Sequence, residues 1–319
     1  MDHSPLSLFG LYSSRALAER VAERLEISLA QHEERNFEDG EHKARPLQEV
    51  RGHDAFVLAT MHGDVAESAN DKLCRALFFC GALKDAGAAR VTAVTPYLCY
   101  ARKDRRTKPN DPITTRYVAA LFEAVGVDRV IAMEVHNIAA FENAFRCPTW
   151  HVDSAMLLAT QFAPLLRGKN VVAVSPDAGG AKRAEQFRQA LEHLLGADVG
   201  SAYMEKYRSS GIVTGTLLAG DVRGKVAVII DDLISTGGTL LRAAQACRDA
   251  GATAVHAAAT HGLFIGGAPE LFTSPLLDGI TVSNTVPPFR VRSDATDRLT
   301  ILDASETLAR AIVACHGGS

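Results

Sequence analysis

The sequence predicts an α/β fold with parallel strands, and three observations support that prediction. Short apolar segments alternate with amphipathic segments along the 319-residue chain. Val226-Ala-Val-Ile-Ile230 is a continuous apolar run, typical of a strand buried on both faces of a parallel sheet. Thr92-Ala-Val-Thr-Pro-Tyr97 is similar to Val172-Ala-Val-Ser-Pro-Asp177, and this weak internal repeat indicates two similar α/β domains.

The first clear helix lies before Gly87. Glycine tolerates the left-handed backbone that often ends a helix, and Val91-Thr-Ala-Val-Thr then begins a strand. The helix itself is indicated by apolar residues at the i, i+3, i+4, i+7 spacing of one face: Leu73, Ala76, Leu77, Cys80 and Leu83.

A domain boundary is expected near the middle of the chain. Cys147-Pro-Thr-Trp-His is irregular and a new helix pattern follows it, so we predict domains at residues 1–152 and 153–302. A last helix is predicted from Ser305 to Val313. Its apolar stripe does not by itself indicate where the helix packs.

Composition and charge narrow the class of protein. A chain that is 47% hydrophobic can bury two cores, and a net charge of −3 gives no general attraction to nucleic acid or to anionic membranes. Six cysteines show no CxxC spacing, which favours a reducing compartment. The N-terminus lacks a signal-peptide pattern and no apolar run reaches about 18 residues, so we expect a cytoplasmic protein.

The residues after the apolar run at 226–230 carry the strongest functional signal. Asp231 and Asp232 precede a turn rich in hydroxyl and glycine residues, Ser235-Thr-Gly-Gly-Thr239, that opens a helix. Glycines let the backbone approach an anion, and the turn N–H groups with the positive helix end favour phosphate, so the carboxylates lie where ribose hydroxyls would bind. The alternative interpretation is an ordinary loop. No Walker motif occurs in the sequence.

This segment resembles the ribose-binding loop of type I phosphoribosyltransferases, and the whole chain resembles the ribose-phosphate pyrophosphokinases, or PRPP synthases. Six motifs carry the resemblance in the family's order: Arg35-Asn-Phe-Glu-Asp-Gly-Glu41, Pro96-Tyr-Leu-Cys-Tyr-Ala-Arg-Lys-Asp-Arg105, Met133-Glu-Val-His136, Ser175-Pro-Asp-Ala-Gly-Gly-Ala-Lys-Arg183, the 226–239 segment and Thr260-His-Gly262.

The resemblance implies a fold, an activity and a cofactor. It implies two type I phosphoribosyltransferase-like domains, each with a mainly parallel sheet flanked by helices, the first binding ATP and the second ribose 5-phosphate. It implies transfer of the β,γ-pyrophosphoryl group of ATP to the 1-hydroxyl of ribose 5-phosphate, with Mg²⁺, giving PRPP and AMP. A C-terminal helix at 303–315 is expected to pack on the first domain, in a homodimer or homohexamer.

Seven residues are assigned to ATP by the resemblance: Phe37, Asp39, Glu41, Arg102, Lys103, Asp104 and His136. The first three match the adenine-binding segment, where an aromatic face stacks and carboxylates accept hydrogen bonds. Arg102 matches a polyphosphate contact, while Lys103 departs from the usual glutamine. The alternatives are a core aromatic for Phe37 and a solvated charged loop for the run that begins at Arg102.

Metal binding and catalysis involve four residues in the family's pattern. His136 and Asp177 match positions that hold magnesium with ATP, although an imidazole suits this hard cation less well than a carboxylate. Lys206 and Arg208 match the Lys-x-Arg core of a flexible catalytic loop that neutralises charge on the transferring group. The alternatives are a core or surface histidine, and two surface charges on a hairpin.

Ribose 5-phosphate is assigned to eight residues: Asp231, Asp232, Ser235, Thr236, Gly237, Gly238, Thr239 and Lys182. Ser235 stands where many members have aspartate. Lys182 and Arg183 lie at a predicted helix start, where cations oppose the helix dipole unless a phosphate lies between, and solvent exposure is the alternative for Lys182.

The regulation of this protein is expected to differ from that of the PRPP synthases that phosphate activates. Their inter-subunit anion site places serine and arginine where this chain has Glu49 and Asn110, although Arg51 is retained. Two other functions share the fold or family: a phosphoribosyltransferase that consumes PRPP, and a catalytically inactive regulatory subunit. Two domains and Arg102 argue against the first, and the intact Lys206 and Arg208 argue against the second.

Overall fold

The computed structural model describes residues 4–209, 212–266, 268–291 and 297–317, without the side chains of 206–209, 212–216 and 269. The chain divides into two compact units, residues 1–152 with 304–319 and residues 153–303. Both units are built on sheets of parallel strands with helices between them, so the predicted α/β fold is confirmed.

The first unit carries a five-stranded, all-parallel sheet in the order β1-β4-β5-β6-β7, and β2 with β3 forms a separate antiparallel hairpin. The strands are β1 (Leu6–Gly10), β2 (His32–Asn36), β3 (His42–Pro46), β4 (Asp54–Leu58), β5 (Arg90–Thr95), β6 (Arg129–Met133) and β7 (Thr149–Val152). The helices are α1 (Arg15–Arg24), α2 (Ala69–Asp85), α3 (Thr114–Ala124) and α4 (Ile138–Ala144).

Helix α2 begins, packs and ends as its sequence pattern predicts. Ser68 Oγ accepts from Asp71 N at 3.2 Å while Asp71 Oδ2 accepts from Ser68 N at 2.8 Å, a capping box that begins the helix. All five residues of the predicted apolar stripe are buried. Gly87, with φ +86°, follows the C-cap as predicted.

The second unit carries a seven-stranded sheet in the order β10-β9-β8-β11-β12-β13-β14, parallel except between β9 and β10. The strands are β8 (Val171–Ser175), β9 (Gly200–Ser209), β10 (Ile212–Ala219), β11 (Val226–Ile234), β12 (Ala254–Gly262), β13 (Gly279–Ser283) and β14 (Leu299–Leu302). The helices are α5 (Ala155–Leu166), α6 (Ala181–Leu195), α7 (Gly238–Asp249) and α8 (Pro269–Thr273).

The last helix, α9 (Ser305–Gly317), belongs to the first unit. It packs against α1, with Leu308 and Ile312 fully buried. Its end is tied to the sheet because His316 Nδ1 lies 2.8 Å from Oδ2 of the buried Asp54 on β4, which is also paired with Arg90. None of the helices in the described ranges combines the length and the apolar character that crossing a bilayer requires.

Candidate active site

Asp231 and Asp232 lie inside β11, because this strand extends to Ile234 instead of ending at the apolar run. The extension pairs with β12 as far as Ile234↔Gly262, whereas pairing with β8 ends at Ile229↔Val174. The edge of the acidic segment on the β8 side therefore has no neighbouring strand. Asp232 is only 3% exposed and donates its backbone N–H to Asp231 Oδ1 at 2.9 Å.

Strand order places this acidic pair at a switch point. Strand β8 lies between β9 and β11, so the chain proceeds to one side after β8 and returns to the other with β11. In open parallel sheets, ligands bind at the carboxyl ends of strands at such a reversal. Asp177, just after β8, and the pair on β11 lie at these ends. Asp177 Oδ1 accepts from Gly180 N at 3.0 Å, which holds the carboxylate over a single 3₁₀ turn.

Arg183, which the sequence placed beside Lys182 but did not assign to a ligand, lies next to the acidic pair. Its Nη1 lies 3.9 Å from Asp231 Oδ1 and 4.0 Å from Asp232 Oδ1, and its side chain is 13% exposed. Lys182, which we assigned to ribose 5-phosphate, is exposed on the same turn of α6. A signal was available in the sequence, because Arg183 precedes the buried Phe187 by one helical turn and so lies on the inner face.

Burial sets the protonation of the acidic pair. Desolvation, reinforced by the neighbouring Asp232, raises the pKa of Asp231 to about 8, and the Arg183 guanidinium opposes this rise. The raised pKa of Asp231 favours a protonated carboxyl group within the pair. Such a pair can both donate to and accept from hydroxyl groups.

The turn from Ser235 to Thr239 is built around Gly237. This residue has φ +83°, and an added Cβ would lie 2.4 Å from Leu271 Cδ1, so neither the backbone nor the packing admits a side chain. Helix α7 begins directly after it, and no side chain of the described residues caps its first N–H groups. Arg242 Nη2 donates to Thr239 Oγ1 at 3.2 Å and brings a cation to this turn. The arrangement suits an anion.

In the first unit, the predicted adenine segment forms the turn between β2 and β3. Phe37 is half-buried there, with the Arg35 guanidinium carbon 5.1 Å from its ring centroid. Asp39 and Glu41 are exposed, and Glu41 N donates to Asp39 Oδ1 at 3.1 Å. The turn thus offers one aromatic face and two carboxylates without burying them in the core.

In the loop after β5, the three charged residues assigned to ATP, Arg102, Lys103 and Asp104, have different surroundings. Arg102 is exposed. Lys103 Nζ lies 2.7 Å from Asp111 Oδ2, and this hydrogen bond is the main cause that lowers the pKa of Asp111. Asp104 Oδ2 accepts from Asn137 Nδ2 at 2.6 Å. Lys103 therefore stabilises its own loop, and Arg102 is the better placed of the two cations for a ligand.

His136 follows β6, the strand next to β5, so it shares the carboxyl edge of the sheet with the Arg102 loop. It is exposed, which excludes the interpretation as a core histidine. The Asn137–Asp104 hydrogen bond joins these two loops. Asp177 belongs to the other unit.

Lys206 and Arg208 lie on β9, so the backbone of this segment forms the hairpin that the sequence left open as the alternative to a flexible loop. They pair with β10 as Lys206↔Thr216 and Arg208↔Val213, in an antiparallel hairpin. The reason is a period-2 pattern that we overlooked, in which Ala202 and Met204 are buried and Tyr203 between them is exposed. The side chains of Lys206 and Arg208 lie outside the described part of the structure.

The donor atoms fit a hard divalent cation that arrives with a phosphorylated ligand. Among the described residues, no three His, Cys, Asp or Glu side chains form a cluster that could hold a metal ion. Magnesium commonly uses one or two carboxylates, water and substrate phosphates. The carboxylate of Asp177, half-buried at the switch point, is suited to such a site.

Comparisons with known proteins agree with this geometry. A family model described as the N-terminal domain of ribose phosphate pyrophosphokinase matches residues 6–126, and one described as a phosphoribosyl synthetase-associated domain matches residues 213–319. Ribose-phosphate pyrophosphokinase 1 of Streptococcus pyogenes serotype M3 is 34% identical, over 99% of this chain and 96% of its own length. The ribose-phosphate pyrophosphokinase of Caldanaerobacter subterraneus subsp. tengcongensis is 36% identical, over 98% and 95%.

A solved structure leads to the same conclusion. The crystal structure of phosphoribosylpyrophosphate synthetase from Mycobacterium smegmatis matches with a TM-score of 0.87 and 32% identity, covering 99% of this chain and 100% of that one. Two parallel-sheet units, with an acidic pair and an uncapped helix at a switch point, define an enzyme of the type I phosphoribosyltransferase fold. The chain belongs to the ribose-phosphate pyrophosphokinase family.

Proposed function

We propose that this enzyme transfers the β,γ-pyrophosphoryl group of ATP to the 1-hydroxyl of ribose 5-phosphate, producing PRPP and AMP. The observation that carries the proposal is the acidic pair followed by the turn at Gly237 and the uncapped start of α7. This order of groups matches a ribose ring with a phosphate on its 5-carbon. We infer a cytoplasmic enzyme that acts as a homodimer or homohexamer.

The second unit is proposed to bind and orient ribose 5-phosphate. Asp231 and Asp232 hold the 2- and 3-hydroxyls, and the N–H groups of the turn at 235–239 bind the 5-phosphate. Arg183 keeps the carboxylates in place and compensates their charge, since it lies about equally far from both. A fixed ring leaves the anomeric hydroxyl oriented for attack, so positioning supplies much of the catalysis.

The first unit is proposed to bind ATP. Phe37 stacks on the adenine, Asp39 and Glu41 accept hydrogen bonds from it, and Arg102 grips phosphate oxygens with its planar guanidinium. Lys103 supports the loop through Asp111.

Charge compensation is assigned to four residues. Lys206 and Arg208 stabilise the equatorial oxygens of the transferring group during in-line displacement. Asp177 and His136 are the residues that would hold Mg²⁺, which neutralises charge on the polyphosphate chain. No residue forms a covalent bond to the substrate in this scheme.

One assay tests the activity. Incubation with ATP, Mg²⁺ and ribose 5-phosphate should produce AMP and PRPP in equal amounts, and omission of ribose 5-phosphate should abolish both. PRPP consumption with a free purine or pyrimidine base would instead identify a phosphoribosyltransferase. Absence of AMP with every nucleotide and divalent metal tested would identify an inactive regulatory subunit.

A second prediction concerns inorganic phosphate. Glu49 Oε1 accepts from Arg51 N at 2.9 Å and from Val50 N at 3.2 Å, and the first of these bonds is the main cause that lowers the pKa of Glu49. Glu49 thus places a charged carboxylate, and no hydroxyl donor, where phosphate-activated members have serine, and this charge repels an anion. We therefore expect full activity without added phosphate and weak inhibition by ADP at any allosteric site. A steep dependence of initial rate on phosphate concentration would refute this expectation.

A further inference from the structure

We propose that Arg75, on α2, is a positioning residue that sets the affinity for ATP by holding the hairpin β2–β3 through Asn36. The inference rests on the proposed function, because it takes the turn of this hairpin as the adenine site. Asn36 lies within the 35–41 motif, but neither it nor Arg75 is among the residues assigned to a ligand.

The hairpin depends on contacts outside itself for its position. Among the described residues, strands β2 and β3 pair only with each other, in a two-stranded sheet separate from the main sheet. Such an isolated pair is marginally stable in water and needs packing against another element. Helix α2 provides that packing against β3, and the His42 ring stacks on Phe78 with centroids 5.5 Å apart and an interplanar angle of 21°.

The guanidinium of Arg75 lies at the centre of this contact. It is 6% exposed, which is rare for arginine unless the charge is paired. Its Nη2 donates to Asn36 Oδ1 at 2.7 Å and lies 2.9 Å from Glu67 Oε1, while its Nε lies 3.4 Å from Glu34 Oε2. A rigid planar fork with three partners fixes their relative positions more tightly than a lysine could.

Glu34 links the same hairpin to the body of the unit. Its side chain is 5% exposed, and Oε1 lies 2.9 Å from His32 Nε2 and accepts from Tyr12 N at 2.6 Å. Tyr12 belongs to the short helical turn between β1 and α1. The hairpin is thus held at its base by Glu34 and nearer its turn by Asn36.

Asn36 is the member of this network closest to the ligand. It is the last residue of β2, it precedes Phe37 directly, and its backbone pairs with His42 at the start of β3. Asn36 is exposed, so its removal leaves no cavity in the core. Loss of its bond to Arg75 should therefore release the turn at 37–41 while the base of the hairpin stays anchored. This effect differs from a general loss of stability.

The test compares Asn36→Ala with Asn36→Asp. The alanine variant lacks the acceptor for Arg75 and should raise KM for ATP about tenfold, with kcat and KM for ribose 5-phosphate within about twofold of wild type. The aspartate variant retains an oxygen acceptor and should stay within about threefold of wild type. Lys43→Ala, an exposed change on the same hairpin, is the matched control and should alter none of these constants.

A double-mutant cycle with Arg75→Lys identifies the partner. If Asn36 acts through Arg75, Asn36→Ala should add little to KM for ATP once Arg75 is lysine. An additive effect, an unchanged KM in Asn36→Ala, or an equal rise in both KM values would overturn the proposal. Thermal melting of each variant verifies that the fold is retained.

Failure of the proposed function would be recognised separately. Wild-type enzyme that forms no PRPP refutes the activity, whereas calorimetric titration with ATP still measures whether Asn36→Ala weakens nucleotide binding. Wild-type enzyme that binds no ATP would refute both. Weaker ATP binding in Asn36→Ala, together with unchanged binding in Lys43→Ala, supports the positioning role independently of turnover.

Discussion

Replacement of Lys206 by alanine should lower kcat by about 10²–10³-fold while the affinity for ribose 5-phosphate changes little. The reason is that the Lys206 ammonium is proposed to stabilise the negative charge on the phosphoryl group that is being transferred. That group comes from ATP, so ribose 5-phosphate binds without this contact. Steady-state kinetics with each substrate varied, together with direct binding of ribose 5-phosphate, separates the two effects. Lys206 should therefore stabilise the transition state and not the ground state.

A matched control is available for this prediction. Lys169 is an exposed lysine of the same unit that lies outside β9, and Lys169→Ala makes the same change of charge. It should leave kcat unchanged. If Lys206→Ala also retained full kcat, Lys206 would have no part in the mechanism. A large rise in KM for ribose 5-phosphate with unchanged kcat would assign it to substrate binding instead.

Replacement of Asp231 by asparagine should weaken activity and strengthen the fold. The variant loses the carboxyl group that hydrogen-bonds a ribose hydroxyl, and an unsatisfied partner costs about 1–3 kcal/mol, so kcat/KM for ribose 5-phosphate should fall roughly 5- to 150-fold. The KM for ATP should change little, because the ATP residues belong to the other unit.

The gain in stability should depend on pH with a definite sign. Burial raises the pKa of Asp231 to about 8 in the folded protein from an ordinary value of 3.8, so the folded state binds this proton more tightly than the unfolded state. The contribution of this proton to the free energy of unfolding of the wild type is therefore lost progressively as pH rises from about 4 to about 8. Asparagine cannot ionise, so the variant should exceed wild type by several kcal/mol at pH 9, at most about 6 kcal/mol for a rise of roughly four pKa units, and by much less near pH 4.

Urea unfolding of both proteins at pH 4.5, 7 and 9 measures this difference. Asp198→Asn, an exposed aspartate of the same unit, is the control and should show no comparable gain. A stability gain that is equal at all three pH values would indicate a packing effect without a role for ionisation. A loss of stability at pH 9 would show that Arg183 holds the carboxylate charged.

Local sequence patterns identified the elements of the sheets well. Val226 to Ile230 was predicted as a buried strand because successive strand residues point to opposite faces, and this run has no polar residue for either face. The structure confirms that all five residues are buried. Helix α2 was predicted because its apolar face and its ending glycine follow the period of one helix. The β9 segment was misjudged, because charged residues at 205–208 obscured its period-2 alternation.

The interactions that tie the site together could not be inferred in the same way. Arg183 lies near Asp231 although the two are far apart in the sequence, and the same is true of Arg75 and Asn36. The ion pair of Lys103 with Asp111 is nearer in sequence, yet it depends on how one loop folds back on itself. A linear pattern can place a long side chain on the inner face of a helix, as the spacing to Phe187 does for Arg183, but it does not specify which acid that side chain meets.

The sequence by itself determined the fold class, the family and the types of group available for chemistry, because periodicity and short motifs are encoded within a few consecutive residues. Only the tertiary structure decided which strands are neighbours, and hence that β8 and β11 form a switch point with Asp177 and the acidic pair at their ends. It also decided how far the half-buried Asp231 is desolvated beside Asp232, and this raises the pKa of Asp231 to about 8. Both properties arise from contacts between distant segments, whose free energies depend on the packed chain as a whole.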